Sequence, residues 1–150
     1  TFKRGNSSMN KLIDARLQAK GFTNTRKAHQ TETAEDYVEL IADLNDVKGE
    51  ARLTDLARRL GVSQATASRV ITRLRKEGLV KSEKYRSLFL TPEGIELARN
   101  CKKRHEIIRD FLIKLGVSQK TAEIDTEGME HHVSQETLEI FQEFLKENKN

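Results

Sequence analysis

From Thr33 onward the apolar residues recur at helical spacing. Tyr37, Leu40, Ile41 and Leu44 define one face of a first helix, which Gly49 should end. Leu53, Leu56, Ala57 and Leu60 make a second, short helix stopped by Gly61. Ser63 is placed to cap a third, whose inward face is Ala67, Val70, Ile71 and Leu74 and whose end is Gly78. The period then changes: residues 79–91, LVKSEKYRSLFLT, alternate apolar and polar side chains about Lys84-Tyr85-Arg86, the pattern of a β-hairpin. Thr91-Pro92-Glu93 supplies a capping hydroxyl, a first-turn proline and an early acid for a long helix to about Leu115. After Gly116, Ser118 can cap a helix to about His132, and Ser134 a last one containing Leu138, Phe141 and Phe144.

Two helices joined by Leu60-Gly61-Val62-Ser63 and followed by a hairpin have the order of a winged helix, which lays its second helix in the major groove. The outward face of that helix carries Gln64, Ala65, Thr66, Ser68, Arg69, Thr72 and Arg73, side chains small enough for close approach or able to bond base edges and phosphates. Arg69 is the leading base contact, and Arg73 suits a phosphate. At the hairpin tip, Lys84 and Arg86 flank an aromatic, as suits a wing lying along a phosphate backbone or entering a minor groove. The expected fold is mainly α: an N-terminal winged helix-turn-helix over residues 33–91, then an all-helical domain over 92–150. Ile107, Ile108, Phe111, Leu112 and Leu115 form an apolar stripe on the long helix that suits dimerisation, although an intrachain core accounts for the same pattern. Residues 1–32 read as a basic extension. Its Lys3, Arg4, Lys11, Arg26 and Lys27 are candidate DNA contacts and its Leu12, Ile13 and Leu17 a candidate short helix, against the plainer account of a flexible arm.

Charge sharpens this division. The net charge is +4, but residues 51–91 carry ten basic and three acidic side chains, for +7, whereas residues 92–150 carry nine basic and twelve acidic, for −3. A basic middle suits a polyphosphate partner. No apolar run approaches a membrane span, the start does not resemble a secretory signal, and one cysteine, Cys101, can form no internal disulfide or cysteine zinc cluster. A cytoplasmic protein in a reducing compartment is expected, and a start at Thr1 suggests that the natural start lies upstream.

The chemistry resides in acids and histidines. Glu127, Glu130 and His131, in DTEGMEHHV, stand at i, i+3 and i+4 and share a helix face, while Asp36 and Glu39 make an i, i+3 pair on the first helix. His105, in KRHEII, can complete the set, and His132 points elsewhere. Carboxylate and imidazole together suit Mn, Fe, Co, Ni or Zn. Such pairs also arise on plain solvated faces, and Asp43 and Asp46, which extend the acidic face of the first helix, favour that account there.

The motifs EDYVELI, RLGVSQATASRVITRL, LTPEG, RHEII and EGMEHHVS, in this order, resemble the diphtheria-toxin-repressor family, most closely its manganese-responsive members, over about Thr33 to Phe144. The resemblance implies a metal-activated repressor of metal-uptake genes, a homodimer on double-stranded operator DNA, with one or two Mn²⁺ ions per subunit. It implies Asp36, Glu39, His105, Glu127, Glu130 and His131 as ligands. Iron-responsive relatives tend to have methionine at the position of Asp36 and cysteine at that of Glu127, so two oxygen donors here imply Mn²⁺. The end at Asn150, without the further domain of those relatives, is expected of the manganese type.

Two rivals belong to other classes. A winged-helix regulator of the multiple-antibiotic-resistance type would answer an organic effector and be indifferent to metal. A metallohydrolase would use the same acids around a bound water, but no HExxH helix, serine-histidine constellation or phosphate-cradling glycine loop is present, and no enzyme or organic substrate is expected.

Overall fold

A computed structural model describes residues 12–82 and 87–147. Lys3, Arg4, Lys11, Lys84, Tyr85 and Arg86 therefore lie outside the described residues. The element order is α1 (Ala15–Lys48), α2 (Leu53–Leu60), α3 (Gln64–Lys76), β1 (Val80–Ser82), β2 (Leu88–Leu90), α4 (Pro92–Leu115), α5 (Gln119–Met129) and α6 (Gln135–Glu147).

Side-chain caps fix the helix starts. Ser63 accepts from the Thr66 amide, Thr91 from that of Gly94, Ser118 from that of Thr121 and Ser134 from that of Thr137, each satisfying an otherwise orphan donor. Gly49, Gly61 and Gly116 end their helices at positive φ, where a side chain would be strained. The hairpin pairs Val80 with Leu90, Lys81 with Phe89 and Ser82 with Leu88.

The first helix departs from expectation. It begins at Ala15 instead of near Thr33 and runs unbroken for 34 residues. Asp14 caps it by accepting from the Arg16 and Leu17 amides. Within it the Thr25, Thr31 and Thr33 hydroxyls each donate to the carbonyl four residues back, which satisfies the hydroxyls without strengthening the helix. The periodicity that begins at Thr33 marks where the helix becomes buried. From Leu12 to Thr31 nearly every residue is exposed, with Thr23 and Ala28 half-buried.

The described residues form two cores. The larger joins Tyr37, Val38 and Ile41 of α1 to Leu56 of α2, Ile71 and Leu74 of α3, the hairpin and Ala98 of α4. The smaller packs Ile107 and Ile108 of α4 on Leu138 of α6, with Phe111 stacked on Phe141 at 3.8 Å and edge-on to Phe144. The α4 stripe thus serves an intrachain core in part, while Ile113, Leu115, Ile124 and Ile140 stay exposed on the same helical half.

Candidate metal centre and nucleic-acid interface

The acids and histidines meet where α1 crosses α4 and the end of α5. His105, half-buried on α4, sets Nδ1 2.8 Å from Glu130 Oε2 and 3.8 Å from Glu127 Oε1, and Nε2 3.1 Å from Glu123 Oε2. The other Glu130 oxygen lies 3.4 Å from His131 Nε2, which is 3.3 Å from Asp36 Oδ1 of α1. Glu130 therefore bridges the two imidazoles. Helix α5 ends at Met129, so Glu130 is its C-cap and His131 lies in the following turn, past the helix face on which it was expected. Both side chains are almost fully buried.

Glu39 lies among these acids. Burial, then the charges of Glu130 and Asp36, push its pKa up to about 7, although a hydrogen bond with Cys101 opposes the rise. Its Oε1 is buried and has no hydrogen-bond partner. An orphaned carboxylate oxygen among like charges is costly as it stands and is a natural donor to a cation. Burial disfavours the charged form of His131, yet the Asp36 and Glu35 carboxylates against it hold its pKa up to about 10. Burial likewise raises Glu130, partly offset by its bonds to His105. The donors are carboxylate oxygens and imidazole nitrogens, with Cys101 pushed upward by burial toward the neutral thiol, so the set fits a divalent ion taken by oxygen and nitrogen.

The structure brings all six sequence candidates to this crossing, Glu127 at its exposed edge. Four side chains at this crossing were not among the sequence candidates: Glu32, Glu35, Arg104, and Glu123 beside His105 Nε2. Donor atoms of Glu32, Asp36 and His131 lie within 4.8 Å of one another. Glu32 precedes Asp36 by one turn, a spacing that could have flagged it, and it also stands 3.5 Å from exposed His132. Buried Glu35 accepts from His131 Nδ1 at 2.6 Å and meets Arg104 Nη1 at 3.4 Å. Arg104 also donates to the Val133 carbonyl, tying α1, α4 and the α5–α6 turn together. No sequence spacing signals Glu35 and Arg104, which are 69 positions apart.

On α3, Gln64, Ala65, Ser68, Arg69 and Thr72 are exposed in a row, as a groove-reading face requires, and Thr66 is half-buried. Arg69 donates to Thr66 Oγ1. Arg73 is half-buried: Nη2 donates to the Gln30 carbonyl of α1 at 3.4 Å, and Nε lies 3.5 Å from Glu77.

Residues 29–88 match the iron dependent repressor N-terminal DNA binding domain, and residues 91–150 the metal binding and dimerisation domain of the same family. The chain belongs to the iron dependent repressor family. A transcriptional regulator from Salmonella typhimurium, MntR, is 47% identical over 91% of this chain and 87% of its own. The HTH-type regulator MntR of Geobacillus kaustophilus is 39% identical over 69% of this chain and 74% of its own. Among solved structures, a manganese-dependent transcriptional repressor in complex with manganese aligns with TM-score 0.67 at 30% identity over 75% of this chain; the chain spans about half of that one, 52%. As a member of this family the protein is a metal-dependent DNA-binding transcriptional repressor, with operator DNA and a second copy of itself as partners, and not an enzyme. No helix among the described residues is long and apolar enough to cross a membrane.

Proposed function

We propose that the ion is Mn²⁺ and that Asp36, Glu39, His105, Glu127, Glu130 and His131 hold it, as one or two ions per subunit, so that the repressor acts on metal-uptake genes when the metal is abundant. One observation carries this: carboxylates and imidazoles from α1, α4 and the end of α5 converge on Glu130, beside a Glu39 oxygen that is buried without a partner. Oxygen-rich donors with two imidazoles suit a hard-to-intermediate divalent ion. The manganese dependence of the related repressor agrees with that choice.

When bound, the ion supplies positive charge among carboxylates that otherwise repel. The protein's own groups do the rest. Asp36 and Glu39 stand on the helix whose other side packs the winged-helix core, whereas His105, Glu127, Glu130 and His131 stand on α4, on α5 and in the turn after it. Holding these two sets together fixes α3 relative to the helical half, and in a dimer fixes the spacing of two recognition helices about one helical turn of DNA apart. Metal and operator then raise each other's affinity by the same factor.

Fluorescence anisotropy on an operator duplex, with Mn²⁺ or with chelator, for the wild type and Glu130→Ala, tests the proposal. Affinity should rise with Mn²⁺ in the wild type alone. Binding by both proteins that is as tight in chelator as with Mn²⁺ would discard the metal switch and return the organic-effector account of the winged helix.

A further inference from the structure

The first half of α1 is accounted for by neither core nor metal centre. From Ala15 to Thr31 the helix stands clear of the body over ~25 Å at 1.5 Å per residue, before Ala34 and Glu35 become buried. It contains Gly21, Thr23, Thr25 and Thr31, residues that leave an isolated helix of this length marginal in water. It also lies almost wholly outside the family's DNA-binding domain, which begins to match at residue 29.

Its charges are ordered. On a helix of 3.6 residues per turn, Arg16, Lys20 and Lys27 fall within about 40° of one another, with Thr23 beside them. Ala34, Val38 and Ile41, which pack into the core shared with α2 and α3, fall within about 60° on that same face. One face is thus apolar where it meets the winged helix and basic where it runs past it. Where the character changes, Arg73 of α3 donates to the Gln30 carbonyl, next in sequence to exposed Thr72 on the groove-reading face. The basic strip therefore begins beside the recognition helix and leads away from it. Among the described residues, Arg16, Lys20 and Lys27 are exposed and have no carboxylate partner.

We infer that this helical arm is a second DNA-binding surface, on which Arg16, Lys20 and Lys27 grip the phosphates of the duplex flanking the segment read by α3. Charge and position both favour DNA over a second copy of the chain as occupant: the strip is cationic, and it begins at Gln30, beside the helix whose exposed face reads the groove. Its reach corresponds to about seven base pairs at 3.4 Å each. Phosphate contacts carry no sequence information, so the arm adds affinity and salt dependence without changing which bases are preferred.

The inference rests on α3 being the groove reader, and the test keeps the two apart. A duplex enriched from a random pool by the wild type with Mn²⁺ would be trimmed to its core or extended by about ten base pairs on each side. The wild type would be compared with the triple variant Arg16→Gln, Lys20→Gln, Lys27→Gln, which preserves helix propensity. On the long duplex the variant should bind on the order of 10-fold to 100-fold more weakly at low salt, with a salt slope shallower by about 5, as expected for six lost cations per dimer. On the core duplex the two proteins should differ little. Equal slopes for wild type and triple variant on the long duplex would overturn the inference. So would a triple variant that sediments as a monomer, since the arm would then serve subunit contact. Loss of Mn²⁺-dependent core binding by the wild type would instead implicate the metal switch or the α3 assignment.

Discussion

Glu35 illustrates how much of the metal centre lies outside its candidate ligands. It accepts a hydrogen bond from Nδ1 of His131, which leaves Nε2 to face Asp36 and Glu130. A ring held in one orientation by a buried carboxylate is pre-organised for an ion, and removing such partners generally costs about 10- to 100-fold in metal affinity. Glu35→Gln keeps the shape and loses the charge that pairs with His131 and Arg104. It should bind Mn²⁺ about 10- to 100-fold more weakly by isothermal titration, with the far-ultraviolet circular dichroism of the wild type. An unchanged affinity would confine Glu35 to packing. The six candidate ligands could be proposed because a family resemblance selected them from acids and histidines at helical spacing, although His131 lies past the end of α5 and off that face. Glu32 had the same spacing to Asp36 but was passed over, and Glu35 and Arg104 acquire meaning only when distant segments touch.

At the scale of elements, caps and turns were written locally. Ser63, Thr91, Ser118 and Ser134 each bond the amide three positions on, in the first turn of the helix that follows, a relation that needs no tertiary partner. Gly94 shows the opposite case. It lies early in α4, where an added Cβ would run into the Leu79 carbonyl oxygen and press Leu90 Cβ at 3.2 Å. That carbonyl also accepts from the Thr91 amide, so the contact fixes how the hairpin passes into α4. Gly94→Ala should destabilise the fold by about 1–3 kcal/mol despite alanine's better helix propensity, as overpacking against backbone does. Thermal unfolding checks this: a melting temperature at or above that of the wild type would show that the backbone yields. The start of α1 was misplaced because burial periodicity was taken for helicity. Asp14 and the strong helix formers after it were the available signal, obscured by Gly21 and the threonines.

For the whole molecule, the winged helix and the helical half have separate cores, and α1 contributes to the first while its acidic side chains face the second half. One face packs on α2 and α3, and another carries Glu32, Asp36 and Glu39 toward α4 and His131. Chelation of the Mn²⁺-loaded protein should therefore act locally. Hydrogen exchange should accelerate around residues 32–39 and 126–132, while the amides of the Leu56, Ile71 and Leu74 core hold their protection. Uniform acceleration would mean that the ion supports global stability and not one junction, and no change would place its site elsewhere. Period and punctuation in the sequence alone determined a mainly helical chain with a winged helix before a second helical half, since side-chain spacing and capping are properties of neighbours along the chain. Only the tertiary structure decided that α1 extends beyond the body, that Glu130 joins two histidines, and that a buried Glu35–Arg104 pair holds His131. Those depend on burial and on contacts between residues far apart in sequence, which no local pattern encodes.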